Sequence, residues 1–439
     1  MRPDRRDLLA GGLVLAGAAL AACEQQAQPR MFDPGDLAGE DGWERIRDLF
    51  ALSPGTVHMS AMLIASHPAP VREAIEQYRQ ALDADPVTYL EGNNNRLTEA
   101  ARAAAGRYFG VDAGQVALTD SATMGIGLVY NGLRLRPGQE ILSTEQDYLV
   151  THESIRLAAE RSGAGARLIP LYDDIASVSA DQMVERLRRA IRPNTRVLAM
   201  TWVHSSNGLK IPVRAIADMV AGINGGRDEE DRVLFCLDGV HGVGNQDEDF
   251  ADLGCDFLMT SCHKWLFGPR GTGVVVGRRE AWSACRPVIP SFIDDGVLSA
   301  WISREPPGGP TTAARMTPGG FKAFEHRWAL PEAFELHAAV GRDRVEARTD
   351  HLASRLKAGL AEIGGVALRT PASTDLSAGI VSFDVAGMGP WPAVRALRDR
   401  GVVASVAPYA TQHVRLTPSI RNSVAEVDAA LAALREIAG

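Results

Sequence analysis

Between residues 233 and 277 short apolar runs alternate with polar turns. Residues 233–237 are uniformly apolar and end at Asp238. Residues 257–259 are apolar and lead into Thr260-Ser261-Cys262-His263-Lys264. Residues 274–276 are valines that follow the turn Gly268-Pro269-Arg270-Gly271-Thr272-Gly273. Runs of this length, bounded by turn residues, predict buried strands. They set Asp238, His241, Ser261, His263 and Lys264 at strand ends, where open α/β sheets collect their ligands. Similar runs at 116–118 and 140–143, and another beginning near Thr195, each give way to a polar loop or a helical pattern. Helical spacing also follows Pro70, and an alanine-rich amphipathic helix is closed by Gly110. Ahead of that helix, Asn93, Asn94 and Asn95 read as a polar loop beside the site or as plain turn residues. Residues 277–320 read as a long Gly/Pro-rich loop region of the kind that is often functional. From Leu330 the pattern turns to one long helix. Strands at 366–368 and 380–385, a helix at 392–400 and a closing strand, loop and helix then predict a smaller α+β lobe. The organisation read from the pattern is a large α/β domain over 41–325 and a small C-terminal domain over 326–439.

The chemistry that these strand ends suggest is a lysine amine joined to an aldehyde cofactor. Pyridoxal phosphate (PLP) needs such a lysine and a carboxylate that keeps its ring nitrogen protonated. Lys264 and Asp238 are candidates for the two. Ser261 and His263 stand beside the lysine as possible hydrogen-bond donors to a phosphate. The glycine-rich turn lets the backbone fold tightly where side chains would obstruct. Taken singly, Lys264 reads better as a solvated lysine and Asp238 as a loop cap; strand ends, serine, histidine and glycine turn together favour the cofactor. A second feature agrees. Ser121-Ala122-Thr123 lies between the 116–118 run and a helical pattern, and a helix N-terminus with hydroxyls attracts anions, although a simple N-cap would look the same.

These motifs resemble the class V aminotransferases, a family with the aspartate aminotransferase fold (fold type I) that includes cysteine desulfurases, kynureninases and isopenicillin N epimerase-like proteins. The resemblance rests on Asp238-Gly239-Val240-His241, Ser261-Cys262-His263-Lys264 and Gly268-Pro269-Arg270-Gly271, and weaker similarity runs through most of the chain after residue 50. It implies an α/β large domain with a mixed, mostly parallel sheet between helices, a smaller α+β domain, and PLP on Lys264. It further implies that Ala122 (backbone) and Thr123 hold the phosphate with Ser261 and His263. Tyr148 stacks on the ring, as one member of an acidic–aromatic pair with Asp147. Ser205 and His241 face the phenolic oxygen, and Arg415 clamps a substrate carboxylate in a bidentate pair. His58, Ser60 and His204 are weaker candidates near substrate or cofactor, and His152 is an alternative to Tyr148. The family also implies a homodimer with a shared active site, in which a Gly-Thr pair reaches the partner's phosphate. Here Arg327-Trp328 replaces that pair, leaving His326, Arg327 or Thr317 for the contact. Desulfurases carry a nucleophilic cysteine ahead of the arginine, but residues 401–415 contain none.

Composition narrows the class further. The 439-residue chain has a formal net charge of −8 and no long basic run beyond its start, which disfavours nucleic acid as a partner. Arg5-Arg6 followed by a modest Gly/Ala-rich apolar run resembles a twin-arginine export signal. The run ends in Leu20-Ala21-Ala22-Cys23, which resembles a lipoprotein cleavage site; an ordinary signal cut near Ala22 is the alternative. The expectation is a signal over 1–23, a tether over 24–40, and a periplasmic or lipid-anchored protein. The other cysteines, Cys236, Cys255, Cys262 and Cys285, fall mostly in or beside predicted strands, where cysteine is a small core residue. A zinc site from Cys255, Cys262, His241 and His263 matches no common ligand spacing, and no metal is expected. The function expected is a PLP enzyme acting on an amino acid or amine by transamination or epimerisation. The alternatives are a C–S or other β-lyase and, from another class, an exported binding protein that keeps the fold without catalysis.

Overall fold

Residues 39–439 are described by a computed structural model; the expected signal over 1–23, including Cys23, lies outside them. After β1 (Val57–His58), seven strands build the main sheet: β2 (Val116–Thr119), β3 (Glu140–Thr144), β4 (Gly165–Ile169), β5 (Thr195–Thr201), β6 (Leu234–Asp238), β7 (Phe257–Ser261) and β8 (Gly273–Gly277). Their order is β2-β8-β7-β6-β5-β3-β4. The β4–β3–β5–β6–β7 ladders are parallel, and β8 runs antiparallel to both β7 and β2. Every residue of β2, β3 and β5–β8 is buried. A sheet covered on both faces needs apolar residues at successive positions, so these strands appear as continuous runs. Leu198, Phe235 and Leu258 enter one core, while Val197, Leu234 and Phe257 enter the other, the alternation that a pleated strand imposes. Cys236 and Cys285 pack in the second core, Cys255 and Cys262 in the first, all four as free thiols.

The smaller sheet has the order β12-β13-β10-β9, from β9 (Val366–Leu368), β10 (Val381–Val385), β12 (Ser405–Val406) and β13 (Val414–Leu416). All its pairs are antiparallel. β11 (Val402–Val403) instead pairs in parallel with β1. The start of the described chain therefore belongs with the C-terminal lobe. The fold is the α/β arrangement that the resemblance implied: a mostly parallel central sheet and a smaller antiparallel one.

Three local expectations need correction. Asn93, Asn94 and Asn95 are not a loop; they sit inside the helix Pro86–Phe109. Two of the side chains bond along the helix, Asn93 donating to the Tyr89 carbonyl at 2.9 Å and Asn94 accepting from the Thr98 hydroxyl at 3.2 Å. These local bonds and the buried face downstream override the weak helix propensity of asparagine. The long helix after Leu330 is two, Leu330–Val340 and Arg342–Ala361, broken at Gly341, whose φ of 92° an L side chain rarely adopts. The stretch after Gly277 carries three short helices, Arg279–Ser283, Asp295–Ser303 and Ala313–Met316. Asp294 and Thr312 cap the last two.

Candidate active site

The C-terminal ends of β5, β6 and β7 lie side by side, with Thr201 in register with Asp238 and Asp238 with Met259. A cavity of about 70 Å³ opens there. Lys264, Asp238, His241, Tyr148, Ser205 and Arg415 all line it. Six side chains from five separate stretches of sequence thus meet at one place. Lys264 arrives three residues after β7, on a turn in which Phe267 N–H donates to the Lys264 carbonyl and Gly268 N–H to that of Cys262. Phe267 holds a φ of 55°, a conformation that persists in a bulky residue only where its surroundings enforce it.

Burial dominates the electrostatics. It lowers the Lys264 amine to about 8, although Asp238 opposes the shift and Arg415 adds to it. It raises the Asp238 carboxyl to about 6, against a hydrogen bond from Val240 N–H and the charge of Lys264. Each group of the pair is thus pushed toward neutrality because desolvation outweighs their attraction. Burial also keeps His241 far below the ordinary imidazole range, reinforced by Lys264 and Arg415. Arg415 is lowered to about 10 by the same cause. Its guanidinium reaches the Ser205 carbonyl at 2.6 Å, the Val406 carbonyl at 2.8 Å and the Ser405 hydroxyl at 3.2 Å. It therefore holds the β12 backbone and the loop after β5 together at the cavity.

The other candidates fall beside this cavity. The helix Ala122–Gly132 begins against the end of β7: Ala122 N–H donates to Ser261 Oγ at 2.7 Å. Ser121 caps the helix by accepting from Met124 N–H, and Thr123 is exposed in the first turn, where helix amides lack intrahelical acceptors. His263 is partly buried and lowered to about 4, first by desolvation and then by Lys264 and Arg270; its Nδ1 has no partner. His204 is fully buried, and burial lowers it against the charge of Asp147. Asp147 is held by Ser143 and Thr144.

Several weaker candidates are taken up elsewhere. His152 Nε2 lies 2.8 Å from the Thr144 carbonyl. His58 and Ser60 tie β1 to the C-terminal region, through Asn422 and a bridge to Thr417. Thr317 Oγ1 donates to the Ala313 carbonyl and accepts from Leu118 N–H. His326 Nδ1 lies 2.7 Å from the Arg270 carbonyl. Arg327 is buried with Nη2 3.9 Å from Asp120, which also accepts from Lys322.

Sequence reasoning missed Trp265, whose indole reaches His241, and Tyr409, whose hydroxyl lies 2.8 Å from Ser205 Oγ. It also missed Met62, Leu63, Thr201, Val240 and Pro408 on the cavity wall. Only Thr201 had a readable signal, as the polar residue ending a predicted buried strand.

A partly buried lysine and a buried aspartate at strand C-termini, next to a helix N-terminus, line an α/β site whose chemistry suits a lysine-anchored cofactor. The chain belongs to the aminotransferase class-V family, whose profile matches residues 64–426. It is 28% identical over 358 residues to isopenicillin N epimerase of Streptomyces clavuligerus, covering 78% of this chain and 84% of that one. It is 26% identical over 362 residues to a probable cysteine desulfurase of Xylella fastidiosa, covering 79% and 81%. Among solved structures, a C-DES mutant with glycine covalently linked to its PLP cofactor superposes with a TM-score of 0.79 at 21% identity, covering 89% of this chain and 99% of that one. The cofactor of the family is PLP. The residues here fit it: a partly buried lysine and a buried aspartate on one cavity, and unpartnered polar atoms at Thr201 Oγ1 and His263 Nδ1.

Proposed function

We propose that this PLP-dependent class V enzyme acts at the α-carbon of an amino acid or amine, by transamination or epimerisation. The observation that carries the reading is the meeting of Lys264, Asp238 and Arg415 on one cavity. When bound, PLP supplies an aldehyde for covalent capture of an amine and a protonated ring that withdraws electrons from the α-carbon. Lys264 would hold the aldehyde and Asp238 the ring nitrogen. Tyr148 would cover a ring face, and Ser205 and His241 would meet the phenolic oxygen. Ala122, Thr123, Ser261 and His263 would surround the phosphate. The Ala122 amide already donates to Ser261, which leaves the Ser261 proton available for an anion.

Arg415 binds the substrate carboxylate, its planar fork matching two oxygens. With PLP and substrate bound, Lys264 would take the α-proton; an amine lowered to about 8 is partly neutral at physiological pH and so can serve as a base. Where that proton returns decides the reaction. Epimerisation would need a proton delivered to the opposite face of the α-carbon by a donor other than Lys264, and transamination would need no proton returned to that carbon. Desulfurase chemistry has less support: no cysteine lies between 401 and 415, and the four described cysteines are buried in cores. A binding protein without catalysis would have no use for a lysine whose amine desolvation holds below its ordinary range.

We further infer a homodimer, supported by exposed Phe292, Leu298, Trp301, Ile302 and Phe321 along one excursion of the chain. Export, with a lipid anchor at Cys23, is inferred from the sequence alone and is tested by fractionation and mass spectrometry of the mature N-terminus.

The central test uses protein mixed with PLP. A visible absorption band that borohydride fixes to the Lys264 peptide is expected. Deuterium uptake at the α-carbon, with product analysis, then separates a D-amino acid from a keto acid. Absence of the band, or label on a different lysine, would overturn the reading.

A further inference from the structure

Beside the lysine-containing cavity lies a second of about 580 Å³, lined by Glu145, Tyr172, Asp174, Ser206, Asn207 and Tyr409, among others. It opens over the ends of β3, β4 and β5, so it continues the same sheet edge sideways. Three segments pass from one cavity to the other within a few residues. Glu145 lines the outer one and Tyr148 the inner. Ser206 lines the outer and Ser205 the inner. Tyr409 lines the outer and Pro408 the inner. Tyr409 stands at the junction. Its hydroxyl is 2.8 Å from Ser205 Oγ, and its ring lies 5.7 Å from that of Tyr148. The loop that carries it is closed by Ala407 N–H donating to the His413 carbonyl.

We propose, on the basis of the amino-acid reading above, that the outer cavity takes the distal end of the substrate side chain. Tyr409 is then the specificity-determining residue at its inner end, and the distal group is a cation. Volume and charge lead there. A space of about 70 Å³ around Lys264 has no room for an extended side chain, whereas 580 Å³ falls in the usual range for small-molecule sites. The charged residues of the outer wall do not balance. Arg369 and His413 are both engaged by Asp384, each at 2.7 Å, and Arg186 by Asp173 at 2.6 Å. Among the described residues no cation pairs with Glu145 or Asp174. The rings of Tyr172 and Tyr409 line the same cavity, and aromatic faces attract cations.

The test is calorimetric titration of the PLP-loaded enzyme with L-lysine, L-norleucine, L-alanine and L-glutamate. Norleucine keeps the four side-chain carbons of lysine without its ammonium. Lysine is expected to bind about tenfold more tightly than norleucine and glutamate. In Glu145→Gln/Asp174→Asn that lysine-to-norleucine preference should fall to about twofold or less. Asparagine preserves the turn that Asp174 caps through Ala176 N–H. Tyr409→Trp, which narrows the junction, should reduce the lysine-to-alanine ratio about tenfold. Norleucine or glutamate binding as tightly as lysine overturns the proposal, as do ratios that neither variant moves or a complete lack of binding across the panel. If the visible band on Lys264 forms normally while the ratios stay flat, only the cavity assignment fails. If the band never forms, the underlying reading fails first.

Discussion

The indole N–H of Trp265 donates to Nδ1 of His241 across 3.2 Å, with both side chains buried. An indole nitrogen can only donate, so His241 Nδ1 must accept and the ring proton resides on Nε2. Burial, Lys264 and Arg415 all disfavour the imidazolium. His241 is therefore a neutral ring of fixed tautomer. In apo enzyme, nitrogen-15 NMR should show His241 as the Nε2–H tautomer from pH 6 upward. Trp265→Phe should give a tautomer mixture and lower stability by about 1–3 kcal/mol, the usual consequence of stranding a buried acceptor. A His241 signal unchanged by that substitution would sink the assignment.

Arg415 combines two tasks, and they separate experimentally. Its guanidinium ties Ser205 to Val406 and Ser405, yet it also lines the cavity. Arg415→Lys keeps a charge but loses the planar fork. Affinity for amino acids should fall about a hundredfold, equivalent to roughly 2–3 kcal/mol. Affinity for the matching amines without a carboxylate should barely change. Equal losses for both series would assign Arg415 to scaffolding alone.

The placement of Asp238 and Lys264 at strand ends was legible because their supporting strands are buried on both faces, so apolar runs marked where each strand ends. The position of Arg415 was legible only through family resemblance. Its near-complete burial and its bond to the Ser205 carbonyl were not, because that contact joins segments 210 residues apart. Tyr409 gave no signal: a single tyrosine in the loop Ala407-Pro408-Tyr409-Ala410 has no periodicity to betray its contact with Ser205. Asn93–Asn95 misled because local preference argued for a turn, while the long helix around them drew its stability from packing farther along.

Asp238 carries a signed dependence on pH. Its folded value of about 6 lies above the ordinary 3.8. Between those values the folded carboxyl retains a proton that the unfolded chain releases, so stability falls as pH rises through this window. At pH 8 the buried carboxylate destabilises the apo protein by about 3 kcal/mol. Asp238→Asn should therefore stabilise the apo protein at pH 8, with about half of that gain gone at pH 5. Denaturant unfolding at the two pH values measures it. A gain that grows on acidification would show the sign to be wrong.

Trp301, Phe321 and Phe292 are 76%, 82% and 71% exposed. Large exposed apolar side chains along one excursion of the chain are candidates for an interaction face. If that face joins two copies, Trp301→Glu with Phe321→Glu should weaken self-association about thirtyfold or more, since buried aromatic anchors dominate such interfaces. Sedimentation velocity across a concentration series reads this directly. A wild-type chain that remains monomeric at high concentration would dispose of the dimer.

Gly273 tests the phosphate side without touching any proposed ligand. It opens β8 directly behind the Ser121–Ala122 turn. A Cβ there would come within 2.8 Å of the Ser121 carbonyl carbon, the Thr119 hydroxyl and the Thr260 carbonyl oxygen. Two of those atoms are backbone and cannot simply swing aside. Gly273→Ala must push the start of the helix Ala122–Gly132 away from Ser261, stretching the 2.7 Å bond that joins them. Overpacking of this kind costs about 1–3 kcal/mol of stability. The cofactor effect should exceed it, because the displaced turn is the one expected to hold the phosphate. Affinity for PLP should drop about tenfold or more, while affinity for pyridoxal, which lacks the phosphate, should change much less. Parallel losses for the two compounds would move the phosphate away from this helix.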